Sequence, residues 1–151
     1  MLKRTEVIVV SALLTLIVYT LSLSVLALVQ TSRTVPNTGT IKAIGVGVYW
    51  DNGCTTPVPS INWTIVEPGS NNSRTVYIRN EGSTAANLSM TVPKSSWNPL
   101  NASSYMTLKW DYNNQTLNVN QVIPVKFTLS VLDSIAGITN FSFDIIITAS
   151  E

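Results

Sequence analysis

Histidine is absent from this chain of 151 residues, cysteine occurs once, and charged residues make up only 11%. Each scarcity excludes something. Without histidine the chain lacks the commonest general base and the commonest nitrogen ligand for metals. With Cys54 alone there is no internal disulfide and no paired-cysteine metal or redox motif. A Gly-x-Ser-x-Gly elbow and a phosphate-cradling glycine loop are missing as well. Beyond residue 30 the basic and acidic side chains balance and are scattered. Nothing there forms the basic stripe that a phosphate backbone requires, so no nucleic acid is expected as a partner.

The acids after residue 30 are Asp51, Glu67, Glu81, Asp111, Asp133, Asp144 and Glu151. Most lie in or beside turn sequences, where carboxylates are favoured because turns are solvated. Their spacing does not set two of them across one cleft, as glycoside hydrolysis demands. Asp51-Asn52, and Asp111 with Asn113 and Asn114, carry oxygens of the kind calcium takes, yet turn chemistry accounts for them without a metal. No catalytic residue, no metal site and no cofactor is therefore expected, and the chain does not read as an enzyme.

Charge is also missing in one continuous block, residues 7–32, bounded by Glu6 and Arg33 with Lys3 and Arg4 upstream. As a helix, 7–29 would extend ~35 Å at ~1.5 Å per residue, enough for a ~30 Å hydrocarbon core. The upstream cations place residues 1–6 in the cytoplasm and the remainder outside. The lipid bilayer is thus the expected partner of 7–29, as a single-pass anchor. A cleaved signal peptide is the alternative, with Ala27 last before the cut, although its apolar region is usually shorter. Residues 30–40, with Pro36 and Asn37-Thr38-Gly39, read as a linker.

From 41 to 151 the pattern alternates with period two, the mark of half-buried strands. Ile44, Val46, Val48 and Trp50 share the first inward face. The next are Ile61, Trp63 and Ile65, then Val76 and Ile78, then Ala86, Leu88, Met90 and Val92. Met106, Leu108 and Trp110 follow, then Val125, Phe127, Leu129 and Val131, and last Phe141, Phe143, Ile145 and Ile147. Pro124 implies that the sixth strand begins after it or lies at an edge. One helical turn is expected at 133–137. Seven short strands with turn residues between them predict an all-β fold, a seven-stranded antiparallel immunoglobulin-like β-sandwich behind a single N-terminal transmembrane helix.

The run Ile61-Asn62-Trp63-Thr64-Ile65 through Pro68-Gly69, then Val76-Tyr77-Ile78-Arg79-Asn80-Glu81-Gly82, carries a resemblance. It resembles the proline-glycine turn, strand and Asn-x-Gly turn of immunoglobulin-like domains on prokaryotic surfaces. The layout as a whole is similar to short archaeal surface proteins, to archaeal thread and pilus subunits, and to biofilm-matrix proteins of the TasA and camelysin type. What that resemblance implies is assembly by strand donation, for which residues 41–50 are the candidate donor.

Six Asn-x-Ser/Thr sequences occur, at Asn62, Asn71, Asn87, Asn101, Asn114 and Asn140. Each is an acceptor for an N-glycan on an exported domain. Strand phase puts Asn62, Asn87 and Asn140 outward, and the others in turns. Polar strands are rich in these residue types anyway, so the pattern is also what an unmodified surface would show. Trp97 sits in the loop Ser96-Trp97-Asn98-Pro99, where its indole either caps one end of the sandwich or stands partly exposed, and with Tyr105 and Tyr112 it forms a set of candidate exposed aromatics.

Three functions follow. The first is a membrane-anchored cell-surface sandwich with a structural, adhesive or protein-interaction role. The second is a filament subunit, with self-association through bundled helices or donated strands. The third is a surface carbohydrate-binding module using Trp97, Tyr105 or Tyr112 as stacking platforms. In all three the domain works outside the cell, whether held at the membrane, secreted or built into a filament.

Overall fold

The computed structural model describes residues 37–151. The expected anchor 7–29 and the cut after Ala27 lie outside the described residues. Among those described, no helix is long and apolar enough to cross a membrane.

Eight strands form: β1 (Thr38–Ile44), β2 (Val46–Tyr49), β3 (Ser60–Asn62), β4 (Asn71–Asn80), β5 (Asn87–Thr91), β6 (Met106–Trp110), β7 (Val122–Val131) and β8 (Ser142–Ser150). They make two four-stranded sheets, ordered β3-β1-β8-β5 and β2-β4-β7-β6. Between the sheets lies one apolar core drawn from both, with Trp63, Phe127, Phe143, Ile61 and Ile145 among its fully buried side chains. The fold is an all-β sandwich.

Two features correct the expectation of seven antiparallel strands. Residues 41–50 are not one strand. Gly45 takes φ +75°, a left-handed conformation open to glycine, and there the chain leaves one sheet for the other. The break resets the phase, so Val46 and Val48 are buried while Ile44, expected on the same inward face, is exposed. Trp50 keeps their phase but is exposed because β2 ends at Tyr49. The second correction concerns pairing. β1 lies parallel to β8 over its whole length, from Thr38 opposite Ser142 to Ile44 opposite Thr148. The first and last strands are neighbours, which local alternation does not reveal.

Smaller differences have local causes. β1 begins at Thr38, so 38–40, read as linker, are strand. Asn37 is a clamp: its C=O accepts from the N–H of Trp63, its Oδ1 from the N–H of Phe141, and its Nδ2 donates to the C=O of Thr64. Gly39, two residues on, fits closely, since a methyl there would press on the side chains of Ile145 and Phe143 at 3.0–3.2 Å. Ile65 was expected inward, yet Thr64 at φ +59° ends the alternation and turns Ile65 out to 84% exposure. Residues 133–137 form a turn and no helix. The 3-10 turns are instead at Lys94–Ser96 and Leu100–Ser104.

Pro124 lies inside β7, opposite Tyr77. Both backbone groups of Lys126 are engaged by Asp111, on the β6 side. By the period of two, Pro124 faces that same side, past the end of β6 at Trp110, where no donor is required. The expected edge is real but local, and the strand starts before the proline.

Strand direction defines two ends. The near end, where Asn37 leads into β1, carries three loops, 63–70, 93–105 and 132–141. The far end carries the turn 81–86, the loop 111–121 and the C-terminus.

Candidate functional site

The outer face of the second sheet holds a cluster of three polar side chains at its β2 edge. Tyr49 ends β2, Arg79 is next to last in β4, and Glu81 follows that strand. The register places Gly47 opposite Arg79 and Tyr49 opposite Tyr77. Arg79 Nη2 donates to Glu81 Oε1 at 2.5 Å and to the Tyr49 hydroxyl at 3.0 Å, with its guanidinium 5.1 Å from the centre of the Tyr49 ring. The Tyr49 hydroxyl in turn donates to Glu81. Gly47 makes room for the group, because a methyl there would overlap both Glu81 and the Tyr49 ring. The close approach at this glycine is made by side chains.

Electrostatics follow the geometry. The Tyr49 hydroxyl is pushed above its ordinary range, first by its hydrogen bond to Glu81 and then by burial. The Glu81 carboxyl is held below its ordinary value by the same hydrogen bond and by Arg79. All three groups are committed to one another, so the cluster reads as a clasp holding β2 to β4. Sequence reasoning missed it. Arg79 and Glu81 are adjacent enough to pair, but Tyr49 joins them only through the strand register.

Asp51 does not gather calcium ligands. Its carboxylate accepts from the N–H groups of Thr55 and Thr56, which hold it below its ordinary value, Thr55 foremost. That closes the 51–56 turn. Among the described residues no three His, Cys, Asp or Glu side chains converge. Cys54 is half-buried and unbridged.

The candidate aromatics do not form an exposed set. Trp97 is only 6% exposed and stacks on Phe143 with ring centres 4.2 Å apart, while Phe141 lies at 6.3 Å. The loop folds inward because the open end of the core between β5, β6 and β8 has space for a large ring. Tyr105 is half-buried and follows the 3-10 turn Leu100–Ser104. Tyr112 is half-buried with its hydroxyl engaged at both capacities, accepting from the N–H of Leu88 at 3.1 Å and donating to the C=O of Gln115. That bond pair ties the first sheet to a loop of the second. None of the three is a free, flat platform for a sugar.

The six sequon asparagines fare differently, for every one is exposed. Asn62 and Asn87 lie on β3 and β5, the two edge strands of the first sheet. Asn71 begins β4, Asn101 is in a 3-10 turn, and Asn114 and Asn140 are in loops. Asn62 Oδ1 accepts from the N–H of Thr64, Asn71 Oδ1 from Ser130, and Asn87 Oδ1 from Thr116. These bonds use the carbonyl side of the amide, while a glycan attaches at Nδ2. The structure thus leaves all six acceptors facing solvent.

Two clefts accompany these surfaces. One, of about 300 Å³, lies where the sheets part at β5 and β6, against Met90, Val92, Trp97, Met106 and Leu108. The other, of about 270 Å³, is at the near end between Asn98-Pro99 and residues 137–142. The chain matches no protein-family model and no curated protein.

Proposed function

We propose that the chain is a membrane-anchored cell-surface protein whose immunoglobulin-like sandwich serves as a structural, adhesive or protein-interaction module without catalysis. The observation that carries this reading is the exposure of all six sequon asparagines, in a chain whose residues 7–32 hold no charge. Glycans on Asn62 and Asn87 would cover both open edges of the first sheet, where unpaired backbone groups otherwise invite another strand. At the β2 edge of the second sheet the chain supplies its own cover. Trp50 N–H donates to Thr56 and Val58 N–H donates to Val48.

The test is the mass of the native protein. A chain beginning at Met1 and carrying glycan mass supports the reading. A start near Leu28 would mean secretion, and a start near residue 5 would mean pilin-type processing. Either start overturns the anchored module.

A second reading, a filament subunit, is favoured by β1. It is held by a full backbone ladder to β8 and a short one to β3, yet it gives the core only buried Gly39 and half-buried Ile41, with Ala43 and Ile44 exposed. A strand held by its backbone more than by its side chains is one that a neighbour's strand could replace. Electron micrographs of the cell surface separate the two, as threads or as isolated heads. The carbohydrate reading is the weakest of the three, since Trp97 is buried and the Tyr112 hydroxyl is occupied.

A further inference from the structure

Six large apolar side chains are exposed among the described residues; Ile44, Trp50 and Val119 lie elsewhere, and the other three share one end. Ile65 is 84% exposed, Leu100 63% and Leu132 54%. All three are at the near end, and each comes from a different loop of 63–70, 93–105 and 132–141. Independent bonds bring the loops together there. Asn37 holds Thr64, the neighbour of Ile65. Leu132 N–H donates to the C=O of Tyr105, which follows the turn Leu100–Ser104. Asn98 and Ser142 exchange both of their backbone bonds, tying the Leu100 loop to the start of β8. The same end offers few charges, with Glu67, Lys94 and Asp133 the only ionisable acids and lysines in these loops. Residue 37 also enters here, immediately after the chain that contains the uncharged block 7–32.

We infer that the near end is a lipid-docking tip: Ile65, Leu100 and Leu132 insert their side chains into the interfacial zone of the bilayer. The inference rests on the anchored reading above, which brings a membrane to this end through the short stretch 30–36. Three apolar side chains on three loops are a poor solution for water and a good one for the headgroup–acyl boundary. With little charge nearby, the contact is apolar, and it holds at high salt and on uncharged lipid. Docking also divides the sequons. Asn101 adjoins Leu100, and a glycan there would keep the tip from the surface, so in the docked protein Asn101 stays unmodified. Asn87 and Asn114, at the far end, remain open.

The full chain, with Cys54→Ser, is placed in phosphatidylcholine vesicles with one spin label at a time. Labels go at Ile65→Cys, Leu132→Cys, Val119→Cys and Val18→Cys. Each label is exposed to oxygen, which concentrates in lipid, and to an aqueous nickel chelate. Retained blue-shifted emission from the buried Trp63 and Trp97 certifies the fold of each variant. Docking is supported when labels at 65 and 132 relax more with oxygen than with nickel, as at 18, while the label at 119 does the reverse. If 18 shows lipid and 65 and 132 show water, docking fails and the anchor stands. If 18 itself shows water, the anchor reading fails and docking falls with it. Labels at 65 and 132 shielded from both reagents would mean a protein contact and overturn the proposal. So would a glycan on Asn101 in native material.

Discussion

The side-chain amide of Asn80 donates to the carbonyl oxygen of Leu117 at 3.0 Å, across two sheets' worth of loop. Asn80 is 1% exposed and the only buried polar side chain among the described residues. Its Nδ2 also reaches the C=O of Thr84 at 2.8 Å, and its Oδ1 accepts from the N–H of Gly82 at 2.9 Å. Leu117 in turn exchanges both backbone bonds with Ala86. One amide therefore organises the far end, joining the turn after β4 to the loop before β7. Asn80→Ala takes one of two donors from the Leu117 carbonyl and leaves the C=O of Thr84 and the N–H of Gly82 without their side-chain partner, and should cost about 2 kcal/mol. Urea denaturation of the variant and the parent checks this, with the midpoint lowered and the slope unchanged.

Trp97→Ala removes a ring packed between Phe141, Phe143 and the open edge of the core. The expected loss is about 3–5 kcal/mol of stability. Denaturant melts give the number. A variant with parental stability would mean that the indole is not buried.

Protonation of the Tyr49–Glu81 pair should shape stability against pH from both sides. The folded Glu81 value is depressed, so its contribution is present above the ordinary 4.5 and is lost as pH falls through the folded value. The Tyr49 value is raised, so its contribution is present below the ordinary 10.0 and is lost as pH rises through the folded value. Tyr49→Phe removes the bond that is the largest cause of both shifts. The variant should therefore lose less stability at each extreme, relative to neutral pH, than the parent does. Unfolding midpoints measured across the pH range provide the comparison.

Removing a glycan acceptor without touching the asparagine separates modification from folding. Ser89→Ala and Thr116→Ala abolish the sequons of Asn87 and Asn114. Each should lower the native mass by one glycan while stability stays within about 0.5 kcal/mol, as for other exposed positions. Unchanged masses would show that neither site is occupied.

Much of the core was legible because alternation is a local property. Val76, Ile78, Val125, Phe127, Leu129, Phe143, Ile145 and Ile147 are buried as their phases predicted. Expectation failed where a single dihedral resets the phase, at Gly45 for Ile44 and at Thr64 for Ile65, and at Trp50 because β2 ends one residue before it. Of the two places open to Trp97, capping one end of the sandwich or standing partly exposed, the structure takes the first, with the ring stacked on Phe143. The parallel pairing of β1 with β8, and the Tyr49–Arg79–Glu81 clasp, depend on register between distant segments. Nothing local encodes either. The exposure of the six sequon asparagines, by contrast, was readable, since polar phase and turn chemistry both turn them outward.

That parallel pair has a mechanical consequence. The chain enters β1 at one end of the sandwich and leaves β8 at the other. A pull between a tethered N-terminus and whatever grips the C-terminus drags the two neighbouring strands past each other along their common axis. All the rungs of the β1–β8 ladder then bear the load together, in shear, where an antiparallel hairpin under tension would open one rung at a time. Strand order alone thus equips the domain to transmit force across its length without unzipping.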